Sequence, residues 1–181
     1  EFSKKGLDIV TVNPTRVYGP GKLSESNSVT RIIRFYISGL WRFIPGDGKA
    51  IGNYVFIDDI VNGHILAAMK GRSGERYILG GENYSYDELF AIIGEGAGIK
   101  RRMVHLPAGL MKLIIKLVTY YSKVTGAPPV LTTDWLEKYL NDWIMSSDKA
   151  VNDLGYEITP LAEGISRTIK WLKSNKDETG K

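Results

Sequence analysis

The sequence predicts an α/β protein, and within that class the late strands and helices of a parallel sheet. Three observations carry the prediction. An apolar, β-branched run from Leu7 to Val12 leads into Asn13-Pro14-Thr15-Arg16-Val17-Tyr18-Gly19-Pro20-Gly21, where two prolines and two glycines force a turn. Strand-like runs then alternate with helical periodicity along the chain. Finally, a parallel strand needs neighbours joined by crossover connections, and no earlier strand precedes residue 7 to supply one. The chain is therefore expected to be the back part of a larger sheet. Ligands in open α/β sheets sit outside the carboxyl ends of the strands, so the turn after Val12 is expected to face a ligand.

The elements follow in order. The strand at 7–13 gives way to a Gly/Pro/Ser loop at 18–28, and Asn27 or Ser28 is expected to cap a helix over 29–40. There Val29, Ile32, Ile33, Tyr36, Ile37 and Leu40 recur at helical spacing. Pro45-Gly46-Asp47-Gly48 is a turn, Tyr54 to Ile57 a short extended run, and a helix begins at Asp58 or Asp59. Tyr77–Leu79 is a strand, about 86–94 a helix, and Met103–Leu106 a further strand. Helices are expected over about 110–125, 132–143, 147–154 and 162–174, with a polar, frayed tail.

Composition narrows the classes. Apolar residues make up 43% of 181 and charged residues 24%, ordinary values for a globular protein. With no cysteine and two histidines the chain has neither disulfides nor a zinc site of its own, and no metal is expected. A reducing, cytoplasmic setting is the natural expectation. The net charge of +4 is scattered, and Lys100-Arg101-Arg102 is too short a basic run to argue for nucleic acid.

Four blocks together resemble the extended short-chain dehydrogenase/reductase family, the NAD-dependent epimerase/dehydratases. They are Pro14 to Gly21; Tyr54-Val55-Phe56-Ile57-Asp58-Asp59-Ile60-Val61-Asn62-Gly63-His64; Tyr77-Ile78-Leu79-Gly80-Gly81 with Ser85-Tyr86-Asp87-Glu88-Leu89; and Ser147-Asp148-Lys149-Ala150 with Leu154-Gly155-Tyr156, Pro160-Leu161 and Ile169-Lys170-Trp171-Leu172. The resemblance implies the C-terminal part of a Rossmann-type enzyme. Residues 1–28 would be a late strand and cofactor-side loop, and 29–181 a substrate-binding portion with an interleaved strand and helices. It further implies NAD or NADP as cofactor, met by backbone groups along Pro14, Thr15, Arg16 and above all Val17, with Ser28 nearby. The family's glycine-rich dinucleotide turn and its active-site Tyr-x-x-x-Lys pair are expected upstream of Glu1, so no catalytic residue is assigned and the isolated chain is expected to be inactive. Family members acting on nucleotide-diphosphate sugars carry an arginine just before the aromatic-Val segment, a fork suited to a diphosphate. Here that stretch is Ala50-Ile51-Gly52-Asn53. The resemblance therefore leans toward the dihydroflavonol reductase, cinnamoyl-CoA reductase and hydroxysteroid dehydrogenase branch. A small, less charged substrate is expected, lined by Ile32, Tyr36 and Tyr84.

Several features have plainer explanations. Asp58-Asp59 fits a helix N-terminus better than a carboxylate pair, and His64 is expected to pack on that helix's apolar side. Gly94-Glu95-Gly96-Ala97-Gly98 follows a helix, so it is a C-terminal cap and not a dinucleotide fingerprint. The apolar helix from Leu110, with Lys112, Lys116 and Lys123 on one side, suits a cover over the substrate pocket with its lysines in water; membrane contact is not expected, and a span is excluded by length and charge. A strand stripped of its neighbours invites pairing, so self-association through Leu7–Val12 is expected. The competing possibility is a stand-alone domain that binds a small molecule or protein without cofactor.

Overall fold

The computed structural model describes residues 6–21, 27–125 and 140–175. Thirteen elements follow one another among them: β1 (Thr11–Pro14), β2 (Arg16–Tyr18), α1 (Ser28–Ser38), β3 (Phe43–Pro45), β4 (Ile51–Phe56), α2 (Ile57–Lys70), β5 (Arg76–Leu79), β6 (Glu82–Ser85), α3 (Tyr86–Ala97), β7 (Val104–Leu106), α4 (Ala108–Thr125), α5 (Asp148–Leu154) and α6 (Leu161–Ser174). β1 pairs with β5 in parallel, from Thr11 opposite Arg76 to Pro14 opposite Leu79. β4 lies between β2, parallel to it, and β6, antiparallel. β3 and β7 form a separate parallel pair.

β4 organises the interior because alternate side chains on a strand point to opposite faces. Tyr54 and Phe56 enter one core with Tyr18, Ile33, Tyr36, Phe90, Ile93, Ile165 and Ile169, drawn from β2, α1, α3 and α6. Val55 enters the other, with Tyr77, Leu79, Ala150, Leu154 and Tyr156, against which Val10 and Val12 pack. The strand is thus buried on both sides and almost continuously apolar.

Local chemistry sets the helix ends. Ser85 and Glu88 form a capping box at the start of α3, and Gly98, at φ 68°, closes it with its N–H on the Glu95 and Gly94 carbonyls. Gly98 is therefore the cap expected of the 94–98 glycines. α1 ends at Gly39, φ 83°, leaving Leu40 outside and 75% exposed. Its N-cap is Asn27, whose side chain makes no capping bond.

Several expectations need correction. The first strand is only Thr11–Pro14, because Leu7 and Ile9 are held by Ser73 and Gly74 instead of a ladder: Ser73 Oγ donates to the Leu7 carbonyl and Gly74 N to that of Ile9 (2.7 Å). β2, β3 and β6 were not anticipated. The α2 helix starts a residue early with Phe56 as N-cap, so neither aspartate caps it. Asp59 instead accepts two bonds from Thr159, the amide at 2.9 Å and the hydroxyl at 2.7 Å, fastening the chain ahead of α6 to α2. His64 is exposed, not packed, with Nδ1 2.7 Å from the Ile60 carbonyl oxygen. The helix expected over 132–143 lies mostly outside the described residues; its described end, 141–143, is not helical, and Trp143 N donates to the Ile51 carbonyl. Among the described residues no helix is long and apolar enough to cross a membrane.

Candidate nicotinamide-facing site

β1 ends at Pro14 and β2 begins at Arg16, with Thr15 between them. The chain leaves one sheet and enters another there, and the junction opens a cleft of about 360 Å³. Asn13, Pro14, Thr15, Arg16 and Asn53 line one side; Arg76, Ile78, Trp143 and Met145 complete it. Asn53 is what holds the cleft's wall together. Its side chain is 2% exposed. Its Oδ1 accepts from the Thr15 hydroxyl (2.7 Å) and from Gly81 N (2.9 Å). Its Nδ2 donates to the Gly81 carbonyl, to Asn83 Oδ1 (both 2.9 Å) and to the Met145 carbonyl (3.3 Å). Asn83 in turn holds Met145 through both of its backbone groups. One amide thereby fixes the end of β1, the β5–β6 turn and the 143–147 segment. The turn needs glycine: a Cβ on Gly81 would lie 1.9 Å from the Tyr54 carbonyl oxygen, and one on Gly80 2.6 Å from Asn53 Oδ1.

Arg16 occupies an unexpected space. Its guanidinium packs near the Tyr54 and Tyr86 rings, 5.9 and 5.8 Å from their centroids, and Nη1 donates to the Tyr86 hydroxyl at 2.7 Å. A Cβ on Gly52 would sit 2.7 Å from that same Nη1. The absent side chain at 52 leaves room for an arginine arriving from 16. Residues 50–53 hold no arginine, and the guanidinium beside Gly52 is that of Arg16 on β2.

The expected site residues separate into groups. Pro14, Thr15 and Arg16 come together in the cleft. Val17 does not line it; its side chain packs against the second core. Ser28 is half-buried in the first turn of α1, and nearby Gly19 N donates to the Thr30 hydroxyl (3.0 Å). Ile32 and Tyr36, expected in the substrate pocket, are core residues, 8% and 2% exposed, and the Tyr36 hydroxyl donates to the Ile99 carbonyl. Tyr84 is half-buried on β6 against that same core. Asn53 and Trp143 escaped the sequence reading. A polar residue inside the otherwise apolar β4 run was the available signal for Asn53; Trp143 had none, since the segment bearing it was read as helix. Lys100-Arg101-Arg102 is structural at its centre, where Arg101 donates to the Ile37 carbonyl at 2.8 Å.

Strand termini with an aromatic, apolar and amide lining fit a nicotinamide ring. A helix N-terminus that takes a pyrophosphate is free of negative charge; α2 opens with Asp58 and Asp59 and α3 with Asp87 and Glu88, whereas α1 and α4 carry no acidic residue in their first turns. Tyr18 and Lys22 happen to have Tyr-x-x-x-Lys spacing. Tyr18, however, is 1% exposed and donates to the Leu161 carbonyl. Burial, then Asp59, Glu82 and Glu163, push its pKa far up. A catalytic tyrosine needs the opposite shift.

Residues 2–80 match the family described as NAD dependent epimerase/dehydratase. The bovine (Bos taurus) short-chain dehydrogenase/reductase family 42E member 1 is 28% identical over 93% of this chain and 45% of its own length. An Arabidopsis thaliana 3beta-hydroxysteroid-dehydrogenase/decarboxylase, isoform 1, is 29% identical over 92% of this chain and 40% of its own. The crystal structure of gox2253 superposes with a TM-score of 0.73 at 29% identity, covering 94% of this chain and 51% of that one. Together these matches support a member of the extended short-chain dehydrogenase/reductase family. The chain spans about half the length of the relatives it matches, or somewhat less.

Proposed function

We propose that this chain forms the nicotinamide-facing and substrate-side part of an NAD(P)-dependent reductase, epimerase or dehydratase acting on a small carbonyl or hydroxyl compound, and that it is not catalytic alone. The observation that carries the proposal is the cleft at the β1–β2 junction, where Pro14, Thr15 and Arg16 meet Asn53 at the ends of parallel strands. Proline has no N–H to compete for a ligand's acceptor and fixes the backbone angle beside it. Thr15 N already donates to the Leu79 carbonyl (3.2 Å), so the junction is held from β5 before any ligand arrives. When bound, the cofactor supplies hydride transfer. The chain's own part is to position: Pro14, Thr15, Arg16, the Val17 backbone and Ser28 on the cofactor side, Tyr84 on the substrate side, with Ile32 and Tyr36 acting as support behind it.

Cofactor-oxidation assays on the protein that carries this chain test this reading. That protein should oxidise NADH or NADPH in the presence of apolar aldehydes or ketones. Rapid turnover of UDP-sugars without any carbonyl turnover would contradict the substrate class. One observation favours a second reading of that class: the Arg16 guanidinium beside Gly52 is a fork suited to a carboxylate or phosphate on the substrate.

A further inference from the structure

α4 has a side that neither the cleft nor the two main cores use. Its buried side is narrow: Met111 and Ile115, four residues apart, pack with Leu106 and Leu140. Leu110, Leu113 and Leu117 stand 45%, 53% and 61% exposed. At about 100° per residue they share one stripe, turned well away from Met111 and Ile115. Lys112 and Lys116 are exposed too and fall on the remaining side. From Ala108 to Thr125 the helix holds three lysines and no aspartate or glutamate. Among the described side chains of α4, the result is an apolar ridge bordered by Lys112 and Lys116 and by no acidic group.

We propose that α4 docks the chain reversibly onto an anionic lipid surface, with Leu110, Leu113 and Leu117 in the boundary between headgroups and acyl chains. Helices that lie in a membrane interface combine an apolar side with a basic one, and lysine stems can run along the apolar region while their ammonium groups stay at the phosphates. A cover over the pocket with its lysines in water accounts for Lys112 and Lys116 but leaves three leucines solvated. Charge separates this ridge from the other exposed stripe, Val61, Ile65 and Met69 on α2. That helix opens with Asp58 and Asp59, which lipid phosphates would repel. Attachment is peripheral, since no described helix is long and apolar enough to span.

Co-sedimentation of the whole 181-residue chain with phosphatidylcholine vesicles, and with vesicles also containing phosphatidylglycerol, tests the proposal; a lipid-free tube corrects for self-association. Binding should be about tenfold or more stronger on the anionic vesicles and should weaken in high salt. Lys112→Glu with Lys116→Glu, and separately Leu113→Glu with Leu117→Glu, should each reduce it about tenfold or more while the circular dichroism spectrum is kept. Equal binding to neutral vesicles, no binding to either kind, or binding that survives both double substitutions overturns the proposal. So does a lipid-free dimer that the leucine substitutions abolish, which would assign the ridge to a second copy of the chain.

Discussion

The Arg16 guanidinium lies where a side chain on residue 52 would have to go, 2.7 Å from an ideal Cβ on Gly52. The Tyr54 hydroxyl is equally near, on a ring that is 2% exposed. Neither group has free room to retreat, because Nη1 is bonded to Tyr86 and the Tyr54 ring is packed in the first core. Gly52→Ala should therefore behave as overpacking and cost about 1–3 kcal/mol, read as a lower urea midpoint with an unchanged slope. A neutral result would show that Arg16 swings aside without loss.

Asn53 should be the most sensitive polar residue of the cleft. Replacing it by alanine strips the Thr15 hydroxyl and the Gly81 amide of their acceptor, at about 1–3 kcal/mol for each group left unpaired. Asn53→Asp keeps that acceptor but sets a carboxylate oxygen against the Gly81 and Met145 carbonyls, which the amide now satisfies. Aspartate should therefore rescue little of the alanine loss. Full stability in the aspartate variant would show that the Nδ2 bonds contribute nothing.

Alkaline pH should unfold the chain through two tyrosines. Burial, with Asp59 adding to it, raises the pKa of Tyr156; burial raises that of Tyr18, with Asp59, Glu82 and Glu163 adding. Both are neutral in either state below pH 10. Above that the unfolded chain loses protons that the folded chain keeps, so stability falls by about 1.4 kcal/mol per pH unit for each tyrosine. Tyr156→Phe forfeits the bond to the Gly80 carbonyl (3.1 Å) and should lower stability at pH 8. Its decline between pH 10 and 12 should nevertheless be shallower than that of the parent chain. Parallel declines, measured as melting temperature against pH, would contradict this origin.

β1 should make the chain sticky. Among the described residues its only ladder partner is β5, and Leu7 and Ile9 beside it are 53% and 38% exposed. An open strand edge with exposed apolar residues beside it recruits another strand. Sedimentation velocity should show oligomers that grow with concentration and revert toward monomer in Leu7→Lys with Ile9→Lys. A strictly monomeric parent chain at high concentration would rule the edge out as a contact.

The sequence showed those parts of the fold in which neighbours along the chain decide the outcome. α1 is visible from Val29, Ile32, Ile33 and Tyr36, and α3 from its Ser85–Glu88 box and closing glycine, because both signals lie within a turn or two. β2 and β6 were hidden. Arg16-Val17-Tyr18 sits between prolines and looks like turn, while Glu82-Asn83-Tyr84-Ser85 is polar; both become strands because the ladder to β4 supplies their hydrogen bonds. Asp59 illustrates the same limit. A carboxylate at a helix start is read as a cap, and only the folded chain brings Thr159, 100 residues away, to claim it. At the site, Pro14 to Arg16 could be read from the turn they make. The amide that holds them, Asn53, acts across strands and could not.

Fluorescence titration of the 181-residue chain with NADH and NADPH tests the central claim most directly. If the chain contributes only the nicotinamide-facing edge, as proposed, it should show no saturable binding at micromolar cofactor. Saturable micromolar binding, lost in Thr15→Val or Asn53→Ala, would mean that these residues hold a whole dinucleotide by themselves, which contradicts a chain that meets only the nicotinamide end.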